Sequence, residues 1–458
     1  MVIEQLPPPP AWVHMVGIGG VGVSGLARML RGSGYNVTGS DMNDSPIVQD
    51  LLREGIHVTI GHDAANLGEA EIVIATAAAR EDNPEIAAAR EHGIPVVKRA
   101  AVLGMLANPS TCLAFAGSHG KSTTSGMASF AFSHAGLNPS FAVGATVGGL
   151  GTNARLGSGP HFIVEADEYD YSFLWLKPAV AIVTNIEYDH PDIFADLGRV
   201  LDAFERFTDG IRPGGTLVTT ADDAGARMLV ERLLSRDDLN VVTVGFHSGD
   251  WQVTDYSAGN AQIRTPADQM FELRLTAPGR HNVRNALAVL ASAEALGIDP
   301  LTMVPGLEAF TGVGRRFEVL VDSAERTVID DYAHHPTEIA ATIAAARERY
   351  PDRRLLVVFQ PHTYTRTHAL KNDFAWALDL ADVAVIAEIY PAREVNTLGV
   401  SAEDIAARMS RGATIAASPA EATRTARDLA QPGDVLLVMG AGDIYQTARD
   451  LAAMGASS

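Results

Sequence analysis

Short apolar runs alternate along this chain with segments whose apolar residues recur every three to four positions, from Trp12 almost to the end. The runs read as buried strands and the periodic segments as amphipathic helices. Trp12–Val16 is the first strand. Behind it Val23, Leu26, Ala27 and Leu30 make one helix face, and a second strand is expected at Asn36–Gly39. Further strands are expected at Thr111–Ala116, His161–Val164, Val180–Val183, Phe317–Val321, Thr327–Ile329, Leu355–Phe359 and Val435–Met439. Such alternation builds α/β units around mostly parallel sheets. At 458 residues the chain exceeds what one core serves. The breaker-rich stretches Asn108-Pro109 and Gly312–Gly314 divide it, so three domains are expected, at 1–109, 110–314 and 315–458. The tract Pro7–Pro10 reads as a disordered leader.

Two of the predicted strands run straight into glycine-rich turns. Gly17-Ile-Gly19-Gly20-Val-Gly22 follows the first, opens a helix, and is trailed about 20 residues on by Asp41 at the next strand end. Such a turn lets a diphosphate approach the backbone and the helix N-terminus, so the first domain reads as Rossmann-like. Whether it holds NAD or a UDP-sugar is left open by the pattern. Gly117-Ser118-His119-Gly120-Lys121-Ser122-Thr123-Thr124 follows Thr111–Ala116 and is a P-loop in kind, although its first glycine sits only three residues before the second. Backbone amides there wrap phosphate, Lys121 reaches the terminal phosphates, and the Ser122 hydroxyl suits Mg²⁺. The second domain therefore reads as an ATPase-type parallel or mixed sheet. Magnesium needs further oxygen ligands. Glu165-Ala-Asp167-Glu168 and Tyr188-Asp189-His190-Pro191-Asp192 both follow predicted strands and supply them; acids in such places are also commonly caps or solvated turns.

Composition narrows the class. A formal net charge of −20 repels nucleic acid and anionic membrane, so neither is expected as a partner. No apolar run approaches the ~18 residues of a membrane span, and the opening residues lack the pattern of a signal peptide. The single cysteine, Cys112, forms no internal disulfide, which fits a reducing, cytoplasmic setting. The only lysines are Lys98, Lys121, Lys177 and Lys371.

GIGGVGVSG at Gly17–Gly25, GSHGKSTT at Gly117–Thr124, EADEYD at Glu165–Asp170, TNIEYDHPD at Thr184–Asp192, GRHNVRN at Gly279–Asn285 and DDYAHHP at Asp330–Pro336 occur in that order. Together they make the chain resemble the Mur ligases, closest to the members that add L-alanine to UDP-N-acetylmuramate. The likeness runs from about Val13 over nearly the whole chain. It implies a C-terminal Rossmann-like domain that admits the amino acid, and ATP-dependent ligation of L-alanine to the lactyl carboxylate through an acyl-phosphate, in peptidoglycan precursor synthesis. It also implies roles by position. Gly17, Gly19, Gly20, Gly22, Ser24 and Asp41 would hold the UDP-sugar. Gly117, Ser118, His119, Gly120, Lys121, Ser122 and Thr123 would hold the ATP phosphates, and Asn282 and Asn285 the adenine, with helix capping as the plain alternative for that pair. Arg315 and Arg316 would approach ATP from the linker. Ser122 and Glu165 would hold one Mg²⁺ and His190 a second, which makes Lys121, Glu165 and His190 the catalytic set.

Tyr332 and the loop Gln360–Arg366 match the family's alanine pocket, with Tyr332 and His362 as walls and Arg366 as the partner of the amino-acid carboxylate. Position 363, commonly arginine in relatives, is Thr363 here and is given no role. Gly440-Ala-Gly442-Asp443 looks like a late glycine turn of the family. No lysine lies between Lys177 and Lys371, so the carbamylated lysine that several Mur ligases use is missing, as it is in the alanine-adding members. Gly312 and Gly314 are candidate hinges. Three rivals remain: a ligase that reattaches a recycled tripeptide, a nicotinamide oxidoreductase, and a P-loop switch or motor. The oxidoreductase leaves the P-loop and both acidic clusters unexplained, and the switch leaves the first glycine loop idle.

Overall fold

The computed structural model describes residues 5–76 and 79–454. The signal-peptide reading rests partly on residues 1–4, outside the described residues. Three sheets follow one another along the chain. The first contains β1 (Trp12–Val16), β2 (Asn36–Asp41), β3 (His57–Ile60), β4 (Ile72–Ala75) and β5 (Val96–Lys98), all parallel, in the order β3-β2-β1-β4-β5. The order reverses at β1, and there the crevice outside the strand ends receives ligands. Val23, Leu26, Ala27 and Leu30, on the helix Val21–Gly32, bury against this sheet as the periodicity predicts.

The proline tract departs from expectation. Leu6 packs on the first core, Ala11 N–H donates to Pro8 O at 3.3 Å, and Asn36 Nδ2 donates to Pro10 O at 2.8 Å. Prolines enter a fixed path with little backbone freedom to lose, so a few contacts suffice to hold it.

The central sheet has ten strands: β6 (Thr111–Ala116), β7 (Ser140–Val147), β8 (Thr152–Arg155), β9 (His161–Glu165), β10 (Val180–Val183), β11 (Thr216–Thr220), β12 (Asn240–Gly245), β13 (Trp251–Ser257), β14 (Asn260–Arg264) and β15 (Met270–Arg274). Their order is β15-β14-β13-β12-β11-β10-β6-β9-β7-β8. β7–β8, β13–β14 and β14–β15 are antiparallel, so the sheet is mixed. β6 lies between β10 and β9, parallel to both, with Ala116 opposite Val183 and Phe115 opposite Glu165. That register places the ends of all three strands on one edge.

The third sheet holds β16 (Glu318–Asp322), β17 (Arg326–Asp331), β18 (Leu355–Phe359), β19 (Val383–Ala387), β20 (Thr414–Ala416) and β21 (Asp434–Met439), in the order β16-β17-β21-β18-β19-β20. Only β16 runs antiparallel. Met439 pairs with both Asp331 and Phe359. The loops after β17, β18 and β21 therefore crowd one edge, although their strand ends Asp331, Phe359 and Met439 stand 28 and then 80 residues apart in sequence. No helix among the described residues is long and apolar enough to cross a membrane.

Candidate active site

The P-loop starts where β6 ends and closes on the helix Lys121–His134. Gly120, the residue before that helix, has φ +82°, and Gly117 has φ +133°. A Cβ on Gly117 would sit 2.0 Å from Thr184 Oγ1, so this position needs glycine for space as well as for conformation. The neighbouring strand end sutures the loop. His119 N–H donates to Asn185 Oδ1 at 2.8 Å, Ser118 N–H to Asn185 O at 3.0 Å, and Thr184 Oγ1 to His119 O. The segment after β10 thus shapes the phosphate loop.

Lys121 folds back inside this frame. Its Nζ donates to Gly117 O at 2.7 Å and to both oxygens of Glu168, at 2.8 and 3.0 Å. Glu168 also faces His190 Nε2 at 3.5 Å. Ser122 Oγ donates to Glu165 Oε1 at 2.9 Å. Glu165, Asp167 and Glu168 are three close carboxylates, with Lys121 as the one lysine among them. Burial pushes the carboxyls of Glu165 and Asp167 up, whereas Glu168, opposed by burial, is carried below its ordinary range by Lys121 and His190. This partly buried cluster of hard oxygen donors, with the His190 imidazole beside it, has the chemistry that Mg²⁺ takes. His190 takes φ +53°, a conformation costly for a non-glycine residue and most often kept at working sites.

One cleft opens on this cluster and another on the P-loop. The first, of about 230 Å³, is lined by Gly20, Gly22, Arg99, Asn153, Glu165 and Asp167. It joins the first glycine loop to the acidic cluster. Gly17 and Gly19 build that loop from behind: Gly17 takes φ +75°, and Gly19 N–H donates to Asp41 Oδ2 at 2.9 Å. Ser24 is buried and its hydroxyl proton goes to Val21 O at 3.0 Å; the side chain lies behind the loop and does not line this cleft. Arg99 escaped the sequence reading. It opens a helix directly after β5, and a basic residue at a parallel-strand end was the available signal.

The other cleft, about 660 Å³, is lined by His119, Gly120, Thr123, Asn282, Asn285 and Arg316 among others. Asn282 and Asn285 share a face of the helix Arg280–Ala295 and are buried. Gly279 is the N-cap, and Asn282 Nδ2 donates backwards to Pro278 O at 2.7 Å, so the pair does not cap the helix. Arg315 points elsewhere. At φ +58° it turns to donate from Nη2 to Gly440 O at 2.7 Å and lies over the Tyr332 and Tyr445 rings. It braces the third domain and does not line this cleft, contrary to the expected ATP contact.

Rings from the third domain line up beyond this cleft. Tyr332 meets His334 edge-on at 5.3 Å between centroids, His334 meets His362 at 6.0 Å, and His362 stacks on Tyr390 at 5.6 Å. Burial pulls His334 down to about 3 and His362 to about 4, so both are neutral at pH 7. Arg366 is buried; its Nε donates to Asp189 Oδ1 at 2.7 Å, and Nη1 lies 3.3 Å from His362 Nδ1.

Family sequence profiles match in the same order as the three sheets. "Mur ligase family, catalytic domain" covers residues 12–111, "Mur ligase middle domain" 115–293, and "Mur ligase, glutamate ligase domain" 315–442. The chain belongs to the Mur ligase family. Among curated relatives of this Mur ligase, the UDP-N-acetylmuramate–L-alanine ligase of Paenarthrobacter aurescens is 42% identical over 94% of both chains. Among solved structures, the UDP-N-acetylmuramate–alanine ligase of Thermotoga maritima superposes with a TM-score of 0.81 at 30% identity, over 96% of this chain and 97% of that one. A murein peptide ligase from Psychrobacter arcticus reaches 0.75 at 25%, over 98% and 99%.

Proposed function

We propose that this Mur ligase joins L-alanine to the lactyl carboxylate of UDP-N-acetylmuramate at the expense of ATP, in peptidoglycan precursor synthesis in the cytoplasm. The observation that carries the reading is one acidic cluster reached from two loops: a cleft runs from the diphosphate-type glycine loop to Glu165 and Asp167, and the P-loop's Lys121 and Ser122 bond Glu168 and Glu165 of the same cluster. The divisions 1–109, 110–314 and 315–458 then hold sugar nucleotide, ATP and amino acid in turn. Gly17, Gly19, Gly20 and Gly22 carry the diphosphate, with Asp41 bracing the loop and Arg99 facing the substrate's negative charge.

A carboxylate must be activated before an amine displaces oxygen from it, and ATP provides the phosphoryl group. Gly117, Ser118, His119, Gly120 and Thr123 cradle the phosphates. Lys121 leaves Glu168 for the transferring phosphoryl and stabilises the charge that develops on it. Asn282 and Asn285 meet the adenine, and Arg316 the phosphates. Ser122 and Glu165 would hold one Mg²⁺ and His190 a second, which would screen phosphate and carboxylate charge. The lactyl carboxylate oxygen takes the γ-phosphoryl and ADP leaves; the neutral alanine amine then attacks the acyl-phosphate carbon, the C–N bond forms, the C–O bond to phosphate breaks, and the departing phosphate takes up the amine's proton. Tyr332 and His362 wall the amino-acid pocket, with Arg366 answering the carboxylate. Holding three substrates on three domains supplies much of the rate by proximity.

The L-alanine ligase relatives support this amine over a tripeptide. A phosphate-release assay with mass analysis tests it: release should need UDP-N-acetylmuramate and L-alanine together and yield their amide. Release with the sugar nucleotide and a tripeptide, but not with L-alanine, overturns the assignment.

A further inference from the structure

Glu338 belongs to none of the motifs read from the sequence, yet four groups converge on its carboxylate. Arg316 Nη1 lies 3.2 Å from Oε1, and His119 Nδ1, from the P-loop, lies 3.4 Å from the same oxygen. On the other side, His334 Nδ1 lies 3.2 Å from Oε2, and His334 N–H donates to that oxygen at 3.0 Å. The side chain is 9% exposed. Burial opposes its charge, but the His119 imidazole, itself raised to about 10, and the Arg316 guanidinium hold its carboxyl well below the usual range.

The two sides of this carboxylate belong to different sites. His119 and Arg316 line the nucleotide cleft. His334 sits between the Tyr332 and His362 rings that wall the amino-acid pocket. Glu338 lies in the first turn of the helix Pro336–Arg349 on the third domain, so its contact with His119 exists only when that domain docks on the P-loop. A second bond spans the same seam, from Thr337 Oγ1 to Glu187 Oε2 at 2.6 Å.

We propose that Glu338 is a positioning residue that couples the nucleotide cleft to the amino-acid pocket. The inference rests on the function proposed above. With the third domain docked, one negative charge fixes both the P-loop imidazole and the pocket wall. Filling either site therefore stabilises the docked arrangement that the other requires, and such coupling is reciprocal.

Glu338→Gln removes the charge while keeping the shape and the first-turn acceptor that serves the helix start. The assay is phosphate release with each substrate titrated in turn. The variant should raise KM for ATP and for L-alanine in parallel, each on the order of tenfold, while KM for UDP-N-acetylmuramate stays within about twofold. A role confined to the helix start would lower the unfolding midpoint and move neither KM; a role confined to the pocket would move L-alanine alone. His119→Asn should raise KM for ATP, and adding Glu338→Gln to it should raise that KM no further. Glu338→Asp, which keeps the charge, should show the same parallel shift on a smaller scale and serves if Glu338→Gln is unstable. A change in only one KM, in neither, or full multiplication in the double variant overturns the proposal. The wild-type enzyme distinguishes the two claims: turnover independent of L-alanine rejects the proposed function itself, whatever Glu338 does.

Discussion

Arg366 of the third domain and Asp189 of the central domain form an ion pair at 2.7 Å, with side chains 4% and 5% exposed. Asp189 adjoins His190 in sequence, so one bond ties the expected carboxylate grip to the expected metal ligand. A buried pair is costly to break on one side only, because the other charge stays buried without a partner. Arg366→Ala should therefore lose both grip and dock, raising KM for L-alanine, glycine and L-serine alike by on the order of 100-fold. Asp189→Asn keeps the guanidinium and should lower kcat far more than it raises KM for L-alanine. Amino-acid titrations in the phosphate-release assay check both. An unchanged KM for L-alanine in Arg366→Ala would sink the carboxylate role.

Much of this site was legible because its residues follow strands. Lys121, Glu165 and His190 each come after an apolar run, and parallel neighbours bring their ends together once β6 lies between β9 and β10. What escaped the sequence was pairing across the fold. Nothing near Arg366 announces Asp189, which lies 177 residues away. Arg99 and Glu338 sit in helix first turns, where charged residues are routine. The hairpins β13–β15 were unread because Trp251–Arg274 mixes apolar and charged residues without a sustained period. Arg315 was misplaced because its positive φ, invisible in sequence, turns it away from its neighbour Arg316. The expected glycine hinge is also pinned: Gly148 N–H donates to Gly312 O and Gly314 N–H to Thr146 O, both at 2.9 Å.

Lys121 should be needed for chemistry. Its Nζ is held by loop carbonyls and Glu168, which it must leave to reach a phosphoryl group. Lys121→Ala should lose on the order of 10³-fold in kcat, about 4 kcal/mol of transition-state stabilisation. A folded variant within about tenfold of wild type would contradict the P-loop role.

Gly20 separates binding from folding. A Cβ there meets nothing nearer than Gly17 O at 3.5 Å, and the residue already has φ −68°. Gly20→Ala should therefore unfold at the wild-type midpoint. The same methyl would stand in the cleft toward the diphosphate, raising KM for UDP-N-acetylmuramate about tenfold or more and leaving KM for ATP unchanged. Scanning calorimetry and substrate titration together decide it. A loss of ATP affinity alone would assign the loop to the wrong substrate.

Glu85 gives the first domain a pH signature unrelated to catalysis. Its carboxylate is fully buried and accepts from Ser40 at 2.7 Å, from Asn66 at 2.6 Å and from His62 at 3.0 Å, with His14 3.7 Å away. Burial alone would push the carboxyl up; the neighbouring His14 imidazole and the hydrogen bonds from Ser40 and Asn66 override it and bring it down to about 2, from an ordinary 4.5. A depressed folded-state value means that the unfolded chain takes up the proton first as pH falls. The stabilisation, about 3 kcal/mol, is thus fully present above pH 4.5 and is lost as pH falls toward 2. Glu85→Gln removes the titrating group, so the midpoint gap between wild type and variant should be constant from pH 7 to 5 and should close below 4.5. Thermal unfolding followed by circular dichroism across that range measures the gap. A gap that stays constant to pH 3 would show that the carboxylate carries no linked proton there.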